Sequence, residues 1–164
     1  MLRIVIAGSR SFNNFELLEK NLIMVLFDLN KKYPQLNVLT IDKQKHSYRI
    51  NRENIEIISG KAKGADTLGE KFAEKYNLAL KEFPAKWDDL SATPCKIVNN
   101  MHGKYNALAG HNRNREMAEY ASSDNSFGVL TLFWDGQSKG SKNMKAQAVI
   151  YSLELYEFTV NKQK

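Results

Sequence analysis

The run "LRIVIAG" (Leu2 to Gly8) constrains this chain more than any other feature. Consecutive branched residues with no polar alternation suit a strand covered on both faces, the condition of a parallel sheet. The run ends in a glycine and gives way to Phe15–Lys32, where Leu17, Leu18, Leu22, Val25, Leu26 and Leu29 recur at helical spacing. The same succession returns downstream. "NIEIISG" reads as a second core strand, Ala65 to Tyr76 as a helix, and "LALKEF" as a third strand ending at Pro84. After a polar, irregular stretch from Ala85 to Gly110 come a helix over Asn112 to Ala121, the strand "SFGVLTLFW", a helix over Ser141 to Leu155, and a last strand, "YEFTV". Strand and helix in alternation mean right-handed crossovers, hence an α/β fold. We expect a Rossmann-like, open, mostly parallel sheet with helices on both faces.

One segment breaks the alternation. Between the first helix and the second core strand, residues 33–54 place "LNVLTID" and "HSYRIN" around the polar "KQK". This predicts an inserted β-hairpin or arm carrying Lys43, Lys45, His46, Arg49 and Arg52. It is either a solvated hairpin or a surface for phosphates or for other copies of the chain.

The 164 residues are enough for one domain, taken as 1–164, with a real core. No apolar run approaches the roughly 18 residues of a membrane span. The N-terminus has no basic region or small-residue cleavage site, so a signal peptide is not expected. The lone Cys95 excludes an internal disulfide and a cysteine metal cluster. A reduced, cytoplasmic protein follows as the expectation. The three scattered histidines show no metal-ligand spacing, so neither metal nor cofactor is expected. A net charge of +6 favours polyanionic partners, either nucleic acid or a phosphorylated nucleotide.

Ligands of open parallel sheets bind at the carboxyl ends of the strands, and four polar segments fall there or open a helix. The first, "GSRSF", offers Gly8, Ser9 and Arg10; its serine hydroxyl and arginine fork suit a phosphate or carboxylate. The second, "SGKAKGAD", offers Ser59, Gly60, Lys61, Gly64, Ala65 and Asp66 at the start of a helix, whose N–H groups favour an anion. Asp66 is either a cap for that helix or a partner for a ribose hydroxyl or base.

The third segment, "GHNRNREMAEYA", carries Arg113, Asn114, Arg115 and Glu116 near a helix start, where cations oppose the macrodipole and need a compensating reason, either an anionic ligand or Glu116 and Glu119. The fourth, "LFWDGQSKGSKNM", repeats the strand, glycine loop and helix order with Gly136, Ser138, Lys139, Gly140 and Ser141. Phe133 and Trp134 just before it are either base-stacking or core residues. The residues alone therefore support a nucleotide-like anion site on a doubly wound sheet. No Ser-His-Asp order, Walker motif or redox cysteine pair is present.

In order, "RIVIAGSRSF", "IISGKAKGADTLGEKFA", "EFPAKW", "RNREMAEYA" and "FWDGQSKGSKNM" resemble the YspA/YpsA-related branch of the SLOG (SMF/DprA–LOG) superfamily of Rossmann-like proteins. The family's S-G-G-A-R-G-A-D reads here with Lys61 for the second glycine and Lys63 for the arginine. Residues 33–54 lie outside the pattern. The resemblance implies a site for a nucleotide or nucleotide derivative, in proteins associated with sensing nucleotide signals.

The related Lonely Guy phosphoribohydrolases split a nucleoside monophosphate into base and ribose phosphate. Their R-K-x-E-M is similar to Arg113–Met117. Their P-G-G-x-G-T-x-x-E would fall on Asp135–Met144, which puts Met144 where the catalytic glutamate belongs. A thioether moves no proton; Asp66, Arg113 and Glu116 remain as candidates for catalytic roles, with Asp135 a further carboxylate at hand. The expected function is binding of an ADP-ribose-like or nucleoside-phosphate-like ligand, as sensor or sequestering protein. Hydrolysis of a nucleotide N-glycosidic bond is the first alternative, and binding of single-stranded DNA, as in the DprA relatives, the second. A homo-oligomer is expected, with no membrane partner.

Overall fold

A computed structural model describes residues 1–161. Five strands form one parallel sheet: β1 (Leu2–Gly8), β4 (Ile55–Ser59), β5 (Ala79–Glu82), β8 (Phe127–Trp134) and β9 (Glu154–Thr159). Their order is β5-β4-β1-β8-β9, with every neighbouring pair parallel. Four helices cover it: α1 (Phe15–Lys32), α2 (Ala65–Lys75), α3 (Ala109–Ser122) and α4 (Lys139–Ile150). The fold is therefore Rossmann-like α/β. Among the described residues no helix is long and apolar enough to cross a membrane.

The two-residue period of β1 divides the core. Ile4 and Ile6 face α1 and α2, together with Leu22, Leu26, Leu68 and Phe72. Val5 and Ala7 face α3 and α4, together with Met117, Ala118, Met144 and Ala148. Both sets are almost fully buried, which explains why the central strands read as unbroken apolar runs. Chain progress reverses between β1 and β8, so the loops after these two strands diverge and leave a crevice at their carboxyl ends.

The inserted hairpin forms as β2 (Leu39–Asp42) and β3 (Ser47–Ile50), an antiparallel pair apart from the main sheet. The Asp42 carboxylate accepts the N–H groups of Gln44 and Lys45 at 3.1 Å and so closes the turn. Tyr48 meets Phe27 of α1 edge-on, with ring centroids 5.0 Å apart. The hairpin joins the end of α1 to the start of β4, at the end of the sheet opposite the crevice.

Three sequence expectations change. The stretch 85–110 contains a second antiparallel hairpin, β6 (Ile97–Asn100) and β7 (Gly103–Asn106). Its strands are four residues long and mostly exposed, so no apolar alternation marks them. Helix α3 starts at Ala109, three residues before the expected Asn112, which puts Arg113 and Arg115 in its second turn. The macrodipole argument for those arginines is weakened accordingly, because the effect fades beyond the first turn. Helix α4 runs from Lys139 to Ile150, with Ser138 as N-cap, and stops well short of Leu155. Ser152 takes a left-handed φ of 57° and Leu153 N–H returns to Ala148 O at 2.8 Å, a polar stop that no glycine announced.

Candidate functional site

The loops after β1, β4 and β8 are fastened to each other mainly through backbone. Gly64 adopts φ +83°, and a Cβ there would lie 2.2 Å from the carbonyl oxygen of Ser9. Only glycine fits this contact. Beside it, Ala65 N–H donates to Ser9 O at 3.3 Å, and Ser9 Oγ accepts the Asp135 N–H at 3.1 Å. Ser9 therefore brackets all three loops and is itself buried. The first N–H of α2 is taken by Ser9, so the anion-binding capacity expected of that helix start is reduced.

Above this bracket lies a cleft of about 200 Å3, bounded by Gly8, Arg10, Asp66, Arg113, Ser141 and Met144 among others. Gly60 brings Asp66 and Arg113 to one place. A Cβ at Gly60 would lie 2.7 Å from Arg113 Nη1 and 2.8 Å from Asp66 Oδ2. Arg113 Nη1 donates to Gly60 O, and its Nε donates to Asn114 Oδ1 at 3.0 Å. The guanidinium is thereby fixed across the end of β4.

Asp66 is 4 % exposed, and its carboxylate accepts the Ala62 N–H at 3.4 Å. It thus caps the preceding loop, while Gly64 holds the N-cap position of α2. Burial raises the Asp66 pKa to about 6, against the charge of Arg113 and the N–H groups of Ala62 and Gly60. Arg113 is shifted below its ordinary value by burial, Asp66 opposing the shift and Arg10 adding to it. Arg10 is exposed and has no hydrogen-bond or ion-pair partner among the described residues. Two cations thus face one cleft, and only one of them is engaged by the protein.

The opposite wall is the start of α4. Ser138 Oγ accepts from the Ser141 N–H at 3.5 Å, and Asp135 Oδ1 accepts from the N–H groups of Gln137 and Ser138 at 2.9 and 3.0 Å. These bonds orient the first turn of α4 toward the cleft, with the positive end of its dipole leading. Ser141 is 4 % exposed and borders the cleft, and its hydroxyl has no partner among the described residues. Asn114 Nδ2 donates to Gly140 O at 3.2 Å and Asn143 Oδ1 at 3.1 Å, binding α3 to this turn. Met144, 1 % exposed, forms part of the apolar floor.

Other sequence candidates lie elsewhere. Ser59 Oγ donates to Glu70 at 2.7 Å and accepts the Lys61 N–H at 3.1 Å, below the loop. Lys61 has a left-handed φ of 60°, the conformation for which glycine is best suited. Its ammonium is paired with Glu70 at 3.2 Å and Glu82 at 3.4 Å, so its charge is offset within the protein. Ala65 is fully buried under the bracket. Gly136 and Lys139 are exposed and do not border the cleft.

Trp134 belongs to the core cluster beneath α3 and α4 and donates through Nε1 to Glu157 Oε1 at 3.2 Å. Phe133 stacks between Phe12 and Phe158, at centroid distances of 5.5 and 5.0 Å. Both are core residues. Glu116 borders a different hollow of about 170 Å3 under the second hairpin, with Arg115 and Lys86, and is not grouped with Asp66 there.

The sequence reading passed over Trp87 as a ligand contact. It is 40 % exposed and borders a second hollow, of about 320 Å3, that adjoins the cleft and shares Arg10, Ala62 and Arg113 with it. In the sequence it ends the "EFPAKW" segment, three residues after Pro84 and within a stretch without periodicity. Among the described residues no three His, Cys, Asp or Glu side chains gather as metal ligands.

The geometry defines a Rossmann-like domain with a polar cleft at its switch point. The chain matches no family model, and neither a curated protein nor a solved structure matches it.

Proposed function

We propose that the chain binds a nucleotide or a nucleotide derivative in the switch-point cleft, as a sensor or sequestering protein. One observation carries this reading: the unpartnered Arg10 guanidinium and the Arg113 guanidinium, held on Gly60 O, border the same cleft. A phosphate between them offsets both charges and accepts charge-assisted hydrogen bonds from both. The buried Ser141 hydroxyl and the first turn of α4 supply further donors to the same anion. Gly140, where a Cβ would meet nothing within 4 Å, lets a ligand approach backbone. Met144 stands where the resemblance expects a catalytic glutamate, which favours binding over turnover. Calorimetry against nucleoside mono- and diphosphates and ADP-ribose tests the proposal. Saturable binding that Arg10→Ala weakens supports it, and no heat at millimolar ligand with folded protein refutes it.

Asp66 favours a second reading. A carboxyl group poised near pH 6 in a buried cleft is a competent proton donor to a leaving base. In that case a nucleotide N-glycosidic bond is hydrolysed, with Arg113 holding the phosphate. Incubation with nucleoside monophosphates must then release free base, and Asp66→Asn must abolish the release. If no base appears with the wild type, this reading falls and the binding role stands.

A further inference from the structure

Three hollows lie in series along the carboxyl edge of the sheet. The first is the cleft between Asp66 and Ser141. The second shares Arg10, Ala62 and Arg113 with it. The third, of about 370 Å3, shares Arg10 and Trp87 with the second and extends along the β6–β7 hairpin to His102, Lys104 and Tyr105. Arg10 borders all three.

Their chemistry differs in a definite order. The middle hollow holds Arg10, Lys63 and Arg113, of which Arg10 and Lys63 have no ion-pair partner among the described residues. Lys61 also borders it but is neutralised by Glu70 and Glu82. Two cations with no acid beside them, next to an Arg113 that shares its place with Asp66, suit more negative charge than a single phosphate ester carries.

The outer hollow sets two aromatic rings, Trp87 and Tyr105, among polar and charged side chains that include Asp88. Trp87 and Tyr105 meet edge to face with centroids 6.4 Å apart, and the far edge of the indole leans on Gly110, where a Cβ would lie 3.5 Å from Cη2. Asn106 N–H donates to Trp87 O at 2.7 Å and ties the hairpin to this residue. The indole is thus held in place by one edge while 40 % of the residue stays open at the junction of two hollows. A fixed, half-exposed indole beside a cationic groove is a stacking platform for a base.

Resting on the nucleotide-binding reading, we infer that the cleft takes a nucleoside diphosphate or an ester of one, with its base stacked on Trp87. The diphosphate lies in the middle hollow across Arg10, Lys63 and Arg113. The outer phosphate reaches the Ser141 hydroxyl and the first turn of α4, and any group esterified to it extends toward Asp66.

Calorimetry with AMP, inorganic pyrophosphate and the four common nucleoside diphosphates tests this without any variant. The tightest diphosphate is expected to bind at least about tenfold better than either AMP or pyrophosphate, because each of those lacks one contact set. Trp87→Ala lowers diphosphate affinity about tenfold or more and leaves pyrophosphate unchanged, whereas Trp87→Tyr keeps most of the affinity. The diphosphate also quenches the tryptophan emission of the wild type, and pyrophosphate does not. Equal affinities for AMP and the diphosphates, or an unchanged diphosphate-to-pyrophosphate ratio in Trp87→Ala, overturn the inference while leaving an anion site. Absence of binding by pyrophosphate and every nucleotide overturns both it and the nucleotide-binding reading.

Discussion

Arg113 donates through Nη1 to the carbonyl oxygen of Gly60, so the second turn of α3 is tied to the loop that follows β4. These residues are 53 apart in sequence; Gly60 lies in the loop leading to α2, which covers one face of the sheet, and Arg113 on α3, which covers the other. The bond crosses the carboxyl edge next to the point where the topology reverses. It positions the guanidinium over the cleft before any ligand arrives, which lowers the ordering cost of binding.

Gly60→Ala tests how far this tie depends on the missing side chain. The new Cβ would lie 2.9 Å from Arg113 Cδ as well as close to Nη1 and Asp66 Oδ2. The guanidinium end can swing away, but its stem has to move with it. We expect a folded protein destabilised by about 1–3 kcal/mol with nucleotide affinity reduced as much as in Arg113→Ala. Urea unfolding and calorimetry on both variants check this. Full affinity in Gly60→Ala would show that the position of Arg113 is not what the ligand reads.

Arg10 differs from Arg113 because the fold does not use it. It is exposed and without a partner among the described residues, so Arg10→Ala should change stability by no more than about 0.5 kcal/mol. Pyrophosphate affinity should fall about tenfold or more, the scale of a lost charge-assisted contact. Arg10→Lys should recover only part of it, since an ammonium cannot present a planar fork. Thermal melts with and without pyrophosphate separate the two effects. A large loss of stability in Arg10→Ala would mean that the residue is structural.

How legible this was in the sequence differs from element to element. The parallel sheet was readable because β1, β4 and β8 are buried on both faces and so carry unbroken branched runs. The loops of the cleft were readable because strand, glycine and helix start follow one another in the chain. The β6–β7 hairpin was not, since its short strands leave most side chains in water and bear no period. That is also why the stacking candidate was sought at Trp134, in a strand, when the exposed indole is Trp87. Side-chain direction was equally hidden. Nothing local indicates that Lys61 turns toward Glu70 and Glu82, or that Asp66 caps a loop instead of a helix, because their partners are set by tertiary packing.

Lys61 offers a test of local strain. Its φ of 60° places a side-chain-bearing residue in the left-handed region, at a cost of about 1 kcal/mol. Its exposed ion pairs with Glu70 and Glu82 return at most a similar amount. Lys61→Ala loses the pairs and keeps the strain; Lys61→Gly loses both. The glycine variant should therefore be the more stable of the two, by about 0.5–1 kcal/mol. Chemical denaturation of the pair measures the difference directly. If alanine proves the more stable, the left-handed φ is not what limits stability at this position.

Asp66 couples the cleft to pH. Its native pKa of about 6 lies above the ~4 of an unfolded aspartate. Between those values the native state holds a proton that the unfolded chain has already released. The contribution of this group to stability is therefore greatest below about pH 4, declines as the pH rises toward 6, and is level above that. Two pKa units correspond to about 3 kcal/mol, an upper bound on what ionising the buried carboxyl costs. Asp66→Asn keeps the shape and can still accept the Ala62 N–H, but it does not ionise. It should be more stable than the wild type by about 1–3 kcal/mol at pH 7.5 and equal to it near pH 4, measured by urea unfolding across that range. An asparagine variant weaker at both pH values would show that the carboxylate, charged, is a well-satisfied loop cap, and would remove the basis for assigning it proton transfer.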